Sequence, residues 1–204
     1  MTNDKNTLIV LEADRYAAAA HARVGQKRKY SEQDYIIHPR QAAGYVRNSI
    51  HNDPITIAVA LLHDVLEDTL REGQTVDDGA NEMRAHFEAV LDCKDTADAI
   101  VVGVLEVTDV SKPEDGNRKF RKEMDRDHAG RAQASRKTVK LADIKSNMPS
   151  IVKHDPGFAR KWVAEKSDVY PLLGEGDPEL FREVGDMLMA YMAGRFDPDA
   201  YEIV

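Results

Sequence analysis

Residues 60 to 69 read Ala60-Leu61-Leu62-His63-Asp64-Val65-Leu66-Glu67-Asp68-Thr69, an apolar run that ends in four ionisable side chains. Residues four apart lie on one side of a helix, so His63 falls over Glu67 and Asp64 over Asp68. Buried imidazole and carboxylate groups cost free energy unless they are paired or bound to a metal. The stretch therefore predicts a helix that carries a polar site into an apolar core, although the same groups could also cap a helix end in solvent.

Apolar residues recur at helical spacing along most of the chain, without sustained strand-type alternation. A proline after a capping-type residue, as in Asp53-Pro54 and Asp177-Pro178, marks two helix starts. We predict an all-α fold, a compact multi-helix bundle. Its predicted helices are Thr7 to Val24, Pro39 to Ser49, Pro54 to Glu67, Gly79 to Asp92, Asp95 to Val107, Asn117 to Arg131, Ser135 to Asn147, Phe158 to Leu173 and Pro178 to Phe196.

The length of 204 residues suits one compact domain and is short for two. The polar loops at 71–79 and 111–116 are too short to link separate domains. We therefore predict a single domain over residues 1–204.

Charge and composition narrow the classes of function. The net charge is -8, which argues against nucleic acid or an anionic membrane as a partner. A small anionic substrate remains compatible, because Lys27-Arg28-Lys29 forms a local basic cluster, which could otherwise be a solvated helix end. The sequence has no signal segment and no apolar run of membrane-spanning length, so we expect a cytoplasmic protein. Cys93 is the only cysteine, so a metal would need His and carboxylate ligands.

Two further residues complete a candidate metal site. His38 lies at the start of a predicted helix, and Asp143 ends an apolar helical stretch at 140–143. With His63 and Asp64 they supply two imidazoles and two carboxylates, a set that suits Mn, Fe, Co or Zn better than Ca. Each residue alone could be a cap or a solvated side chain. Together they predict a metal site in the core of the bundle.

Four segments carry a family resemblance: Gly25-Gln26-Lys27-Arg28-Lys29, Tyr35-Ile36-Ile37-His38-Pro39, Leu61 to Thr69, and Lys140-Leu141-Ala142-Asp143 followed by Asn147-Met148. In this order they resemble the HD-type hydrolase domain of RelA/SpoT proteins and their stand-alone relatives, the small alarmone hydrolases. The resemblance runs from about Ala13 to Ile151. An HD pair followed by Glu-Asp and then by Lys-Leu-Ala-Asp is far more restrictive than an HD pair alone. Residues 152–204 match the family only in being helical.

The resemblance implies roles for individual residues. It implies four ligands for Mn²⁺: His38, His63, Asp64 and Asp143. It implies two residues that orient and activate the attacking water, Glu67 and Asp68, and three that bind the nucleotide, Arg28, Lys29 and Asn147. The implied reaction is hydrolysis of the 3′-diphosphate of an alarmone such as (p)ppGpp or (p)ppApp, with release of pyrophosphate. A divalent cation supports this chemistry because it lowers the pKa of its water from ~15.7 toward ~7.

Two departures from the family pattern leave the substrate open. Val24 stands where many members have a histidine before the Gly-Gln pair, and His21 lies three residues earlier, so His21 is not a ligand candidate. Pro149 stands where many relatives have a basic or small polar residue. Guanine and adenine alarmones and NADPH therefore all remain candidate substrates.

Other functions also remain open at this stage. The protein could be a different HD phosphohydrolase, such as a nucleotidase or a cyclic-nucleotide phosphodiesterase, or a metal-binding antitoxin-like module. Homo-oligomerisation is open as well, and the methionines near the C-terminus are predicted to be core or contact residues. The basic run between Arg118 and Lys122 is predicted to be a solvated helix face.

Overall fold

The computed structural model of the protein describes residues 2–201, which form ten α-helices and three short 3-10 turns. The α-helices are α1 (Thr2–Arg23), α2 (Ile37–Arg47), α3 (Pro54–Leu62), α4 (Val65–Asp68), α5 (Val76–Leu91), α6 (Lys94–Val107), α7 (Arg118–Arg131), α8 (Ala134–His154), α9 (Pro156–Val169) and α10 (Pro178–Met192). The 3-10 turns are Pro113–Asp115, Tyr170–Leu173 and Pro198–Tyr201. Within these residues the only extended pairing is an isolated bridge between Lys27 and Asp34. The predicted all-α fold is confirmed.

Helix α3 lies at the centre of the bundle. It is apolar on every side and its residues from Thr56 to Leu62 are buried, as expected for a helix surrounded by others. It packs against α1, α2, α6 and α8. Asp53 caps its start, since the carboxylate accepts hydrogen bonds from the backbone N–H groups of Ile55 and Thr56, and Pro54 occupies the first turn. The predicted polar site therefore lies at the C-terminal end of the buried helix α3.

Helix α8 forms the second wall of the site. It packs against α2 and α3 on one side and against α9 and α10 on the other, and it buries residues along its whole length. Because α8 crosses α2, Asp143 comes next to His38. The prediction that α8 ends at Asn147 is wrong. The helix continues through Pro149 to His154, because Met148 and Pro149 are buried and tertiary packing outweighs the backbone hydrogen bond that a proline cannot donate.

The predicted helix from Pro54 to Glu67 is also wrong in one respect, since it is broken at His63 and Asp64. The imidazole Nδ1 of His63 lies 2.9 Å from the carbonyl oxygen of Ala60. In an unbroken helix that carbonyl would accept from the N–H of Asp64. The side chain of His63 therefore takes the place of a helical backbone bond, and the chain turns before α4 begins.

The other predicted helices differ from the structure only at their ends. Helix α10, for example, ends at Met192 instead of Phe196, and Gly194 follows with a φ of 65° that favours glycine. Within residues 2–201 no helix combines the length and the apolar character needed to cross a bilayer.

Candidate active site

The four predicted metal ligands meet at one point of the bundle. His38 reaches it from the first turn of α2 and Asp143 from α8, while His63 and Asp64 come from the break after α3. The Nε2 atoms of the two histidines are 3.2 Å apart. Asp143 Oδ1 lies 3.2 Å from His38 Nε2 and 3.7 Å from His63 Nε2, and Asp64 Oδ2 lies 3.1 Å from His63 Nε2. Ligand atoms of His38, His63 and Asp64 lie within 4.8 Å of one another, so these three residues can hold a metal ion.

In each imidazole a hydrogen bond at Nδ1 orients the ring so that Nε2 faces the site. His63 Nδ1 must donate to the Ala60 carbonyl oxygen, 2.9 Å away. His38 Nδ1 lies 2.9 Å from Ser146 Oγ, and the Ser146 hydroxyl donates to Gln41 Oε1 at 3.0 Å, so Ser146 accepts from His38. In the neutral state both Nε2 atoms therefore turn a lone pair toward the site. Two lone pairs and two carboxylates form a cluster of acceptors, which fits a bound divalent cation.

The electrostatics of the cluster also favour a cation. Burial raises the pKa of Asp143, but hydrogen bonds with His38 and His63 and the charge of Lys166 outweigh it, so this pKa lies well below its usual value. Burial lowers the pKa of His63, whereas Asp64 and Asp143 raise it more, so it lies well above its usual value. Protons and metal ions compete for such lone pairs. The carboxylates thus stay ionised and attract a positive charge.

Two side chains hold the carboxylates of the cluster in place. The hydroxyl of Tyr35 donates to Asp64 Oδ2 at 2.7 Å, and the amide of Asn147 donates to Asp143 Oδ1 at 2.7 Å. Asn147 Oδ1 accepts in turn from Arg28 Nη1 at 3.0 Å. The predicted nucleotide-binding residues Arg28 and Asn147 are therefore joined to each other and to the metal cluster.

Glu67 and Asp68 lie one helical turn beyond the cluster. Both residues are exposed to solvent, yet protein atoms surround much of each carboxyl group. Burial, together with the charges of Asp109 and Asp64, raises the pKa of Glu67 to about 7, although Lys140 opposes the shift. Burial and the charge of Asp64 also raise the pKa of Asp68. Glu67 can therefore exchange a proton near neutral pH, as a general base requires.

An ion-pair network that the sequence did not predict supports Glu67. The backbone N–H of Asp109 donates to Glu67 Oε1 at 2.7 Å. The carboxylate of Asp109 pairs with Lys122 at 2.6 Å and lies 3.7 Å from Lys140 Nζ. The sequence feature that could have indicated this network is the polar pair Thr108-Asp109, which directly follows the apolar helix α6.

The basic run on α7 is only partly a solvated face. Arg118 makes two hydrogen bonds to Glu165, and Lys122 also pairs with Asp125. These partners lie on other turns or other helices, so their pairing could not be predicted from the run itself.

The second predicted nucleotide-binding lysine lies farther out. Lys29 Nζ donates to Asp155 Oδ2 at 2.9 Å and lies 4.9 Å from the centre of the Tyr30 ring. Lys29, Arg28 and Asn147 line one cavity of about 280 Å³, together with Phe158. A recess of about 590 Å³ between α1 and α2 contains none of the predicted site residues.

Comparison with known proteins supports the fold. No family model matches the sequence. Curated proteins from Brucella ovis and Brucella abortus, each described as GTP pyrophosphokinase rsh, are 36% identical over 74 residues. This match covers 36% of the chain but only 9% of each relative. A solved structure, reported as a metazoan ortholog of SpoT that hydrolyzes ppGpp, is similar with a TM-score of 0.69 and 21% identity. The similarity covers 92% of this chain and 97% of that one.

The structural match covers far more of the chain than the 74 residues of the sequence match. The chain therefore has the fold of the metazoan SpoT ortholog, as the resemblance implied.

Proposed function

We propose that this protein is a metal-dependent phosphohydrolase that removes the 3′-diphosphate of an alarmone nucleotide and releases pyrophosphate. The observation that carries the proposal is the cluster of two imidazole Nε2 atoms and two carboxylates, one helical turn from Glu67 and Asp68. The cluster lies in a fold shared with a protein reported to hydrolyze ppGpp. A binding module would have no need for an acid and a base beside such a cluster.

We propose His38, His63, Asp64 and Asp143 as the metal ligands and Mn²⁺ as the metal. Two imidazole nitrogens and two carboxylate oxygens suit a divalent transition metal better than Ca²⁺. When bound, the cation supplies Lewis acidity, which makes water a better nucleophile and neutralises charge on the phosphate under attack. Tyr35 and Asn147 keep the two carboxylates oriented toward it.

Glu67 and Asp68 are the proposed catalytic residues. The water oxygen bonds to the phosphorus nearest the ribose, the bond from this phosphorus to O3′ breaks, and O3′ takes up a proton from solvent as pyrophosphate leaves. Glu67, with a pKa of about 7, takes the proton from the water. Asp68 lies beside it and aligns the water for attack in line with the leaving oxygen.

Arg28, Lys29 and Asn147 are the proposed nucleotide-binding residues. They line a cavity next to the metal cluster, and Asn147 connects the two by its bond to Asp143. Positive charge at this one place lets a chain of net charge -8 bind a polyanionic small molecule. Arg28 offers a planar guanidinium, which suits stacking on a base.

A substrate panel tests the proposal. Purified protein with Mn²⁺ is given ppGpp, ppApp and NADPH separately, and pyrophosphate or phosphate release is measured. We expect rapid release of pyrophosphate from at least one alarmone and a loss of about a thousandfold or more in Asp64→Ala. The exposed acid Asp186, which pairs with Arg182 on its own helix, provides the matched control Asp186→Ala. Phosphate release from NADPH alone, or no turnover at all, would overturn the alarmone assignment.

A further inference from the structure

The Gly25-Gln26 pair ends α1 in a way that ties Gln26 to His21. The N–H of Gln26 donates to the carbonyl of His21 at 3.1 Å, and the N–H of Gly25 donates to the carbonyl of Ala22 at 3.0 Å. These two backbone hydrogen bonds end the helix, and they require the left-handed φ of 66° that Gly25 adopts. Gln26 is thereby held at the C-terminal end of α1.

The side chain of Gln26 bridges His21 and Asp68. Its Nε2 atom lies 2.8 Å from Asp68 Oδ2, and its Oε1 atom lies 2.6 Å from His21 Nδ1. An ionised carboxylate can only accept, so the Gln26 amide must donate to Asp68 through its NH₂ group. The carbonyl end then faces His21, whose Nδ1 must carry the hydrogen. His21 therefore donates to Gln26, and Gln26 donates to Asp68.

The surroundings of His21 favour a permanent hydrogen on Nδ1, which the ring donates to Gln26. Its side chain is 1% exposed, and burial lowers its pKa, so the ring is neutral with its single hydrogen on Nδ1. The Nε2 atom is buried and has no hydrogen-bond partner among residues 2–201. Tyr35 packs on the ring at 4.7 Å between centres and donates to Asp64. An unsatisfied buried nitrogen costs free energy, which is unexpected for a histidine whose only purpose is to fill space.

We propose that Gln26 and His21 are positioning residues that hold the carboxylate of Asp68 in its orientation for water activation. This inference rests on the proposed function, because it gives Asp68 its catalytic orientation. His21 keeps the Gln26 amide from rotating, and Gln26 keeps one oxygen of Asp68 engaged while the other remains available to water. Other charged or titratable groups near Asp68 are Asp64 and His63, and Arg23 donates to the adjacent Thr69 carbonyl.

Gln26→Leu tests the proposal with little change in side-chain size. We expect kcat to fall about tenfold, as for a modest misplacement of a reacting group, while KM and Mn²⁺ affinity stay unchanged. The matched control is Gln133→Leu, an exposed glutamine that makes no side-chain capping bond at the start of α8. In an Asp68→Asn background, Gln26→Leu should cost nothing further, because the two residues act as a unit. A tenfold loss in that background as well would contradict a role through Asp68.

A second measurement does not depend on turnover. Carbon NMR of the Asp68 carboxyl group should report a higher pKa in Gln26→Leu than in the parent protein, because the hydrogen bond from Gln26 lowers it. His21→Phe, which removes the Nδ1 donor but keeps an aromatic ring, should move the same pKa in the same direction by less. An unchanged Asp68 pKa in both variants would overturn the inference. If the parent protein hydrolyses no alarmone, the proposed function fails, and this pKa still decides whether Gln26 controls Asp68.

Discussion

At the scale of single residues, the site depends on which imidazole nitrogen carries the hydrogen. Ala60 and Ser146 each accept from an Nδ1 atom, so each imidazole in its neutral state turns the lone pair of Nε2 toward the site, and the two Nε2 atoms lie 3.2 Å apart. Without such partners a histidine would be free to present its N–H group to the site, where it cannot bind a cation. In the proposed metal site, Ser146 therefore matters as much as His38.

Replacement of Ser146 by alanine tests this point. Ser146→Ala should weaken Mn²⁺ binding about tenfold to a hundredfold, because the partner that orients a metal-binding histidine typically contributes that much. Isothermal titration of the metal-free protein measures it. Ser167→Ala is the control, since the Ser167 hydroxyl bonds only to a carbonyl of its own helix. Equal Mn²⁺ affinity in parent and Ser146→Ala proteins would mean that the tautomer of His38 is fixed in another way.

The raised pKa of Glu67 predicts a pH dependence. A general base works only when deprotonated, so kcat should rise as the pH rises through about 7. Lys140 lowers the pKa of Glu67, and Lys140→Met should therefore move this limb of the profile to higher pH. The exposed Lys161→Met variant should leave it in place. A limb that does not move in Lys140→Met would show that another group controls it.

At the scale of helices, the close approach of α3 and α6 helps to hold α3, the helix that leads to the site, in its position. Gly103 on α6 leaves no room for a side chain: a Cβ atom there would lie 2.7 Å from Val59 Cγ2 and 2.5 Å from Arg136 Nε. Arg136 donates to Thr56 at the base of α3. The glycine thus lets a buried arginine pass between two helices and hold the start of α3.

Gly103→Ala should lower the free energy of unfolding by about 1 to 3 kcal/mol, because overpacking forces neighbours out of place. Chemical denaturation measures it. Gly44→Ala is the matched control, a glycine inside α2 with no atom near the added Cβ, and it should raise stability by up to about 1 kcal/mol through helix propensity. Similar effects of the two substitutions would contradict the packing argument.

At the scale of the whole molecule, metal binding should be linked to folding. The acceptor cluster joins residues of α2 and of the break after α3 to Asp143 on α8, which is distant from both in sequence, so the unfolded chain cannot offer the same site. Mn²⁺ at a hundred times its Kd should contribute about 2.7 kcal/mol, and this should raise Tm by about 5 to 10 °C for a chain of this size. Calorimetry with and without Mn²⁺ measures it. The Asp64→Ala protein should show little or no shift, and an equal shift in both proteins would point to binding elsewhere.

The sequence predicted which polar residues lie together better than it predicted the bounds of the helices that carry them. His38, His63, Asp64 and Asp143 could be found because polar residues in apolar helices need a partner, and their meeting requires only that the helices pack. The break at His63 could not be predicted, because it depends on a bond from a side chain to the Ala60 carbonyl.

Contacts between segments that are distant in sequence could not be predicted either. The ion pairs of Asp109 with Lys122 and of Lys29 with Asp155 join segments whose proximity is set by tertiary packing alone. The C-terminal helices carry no motif, yet Glu183 on α10 pairs with Lys145 near the site. Charge patterns show where side chains are solvated, but they do not identify partners across a fold.

The central claim is that His38, His63, Asp64 and Asp143 hold a cation on which alarmone hydrolysis depends. The most direct measurement strips the protein of metal, adds Mn²⁺ stepwise, and follows pyrophosphate release from ppGpp and ppApp at each step. We expect no release from the metal-free protein and a rise that saturates at one Mn²⁺ per chain, with no rise in Asp64→Ala. Full activity without metal, or none for either alarmone at saturating Mn²⁺, would contradict the account.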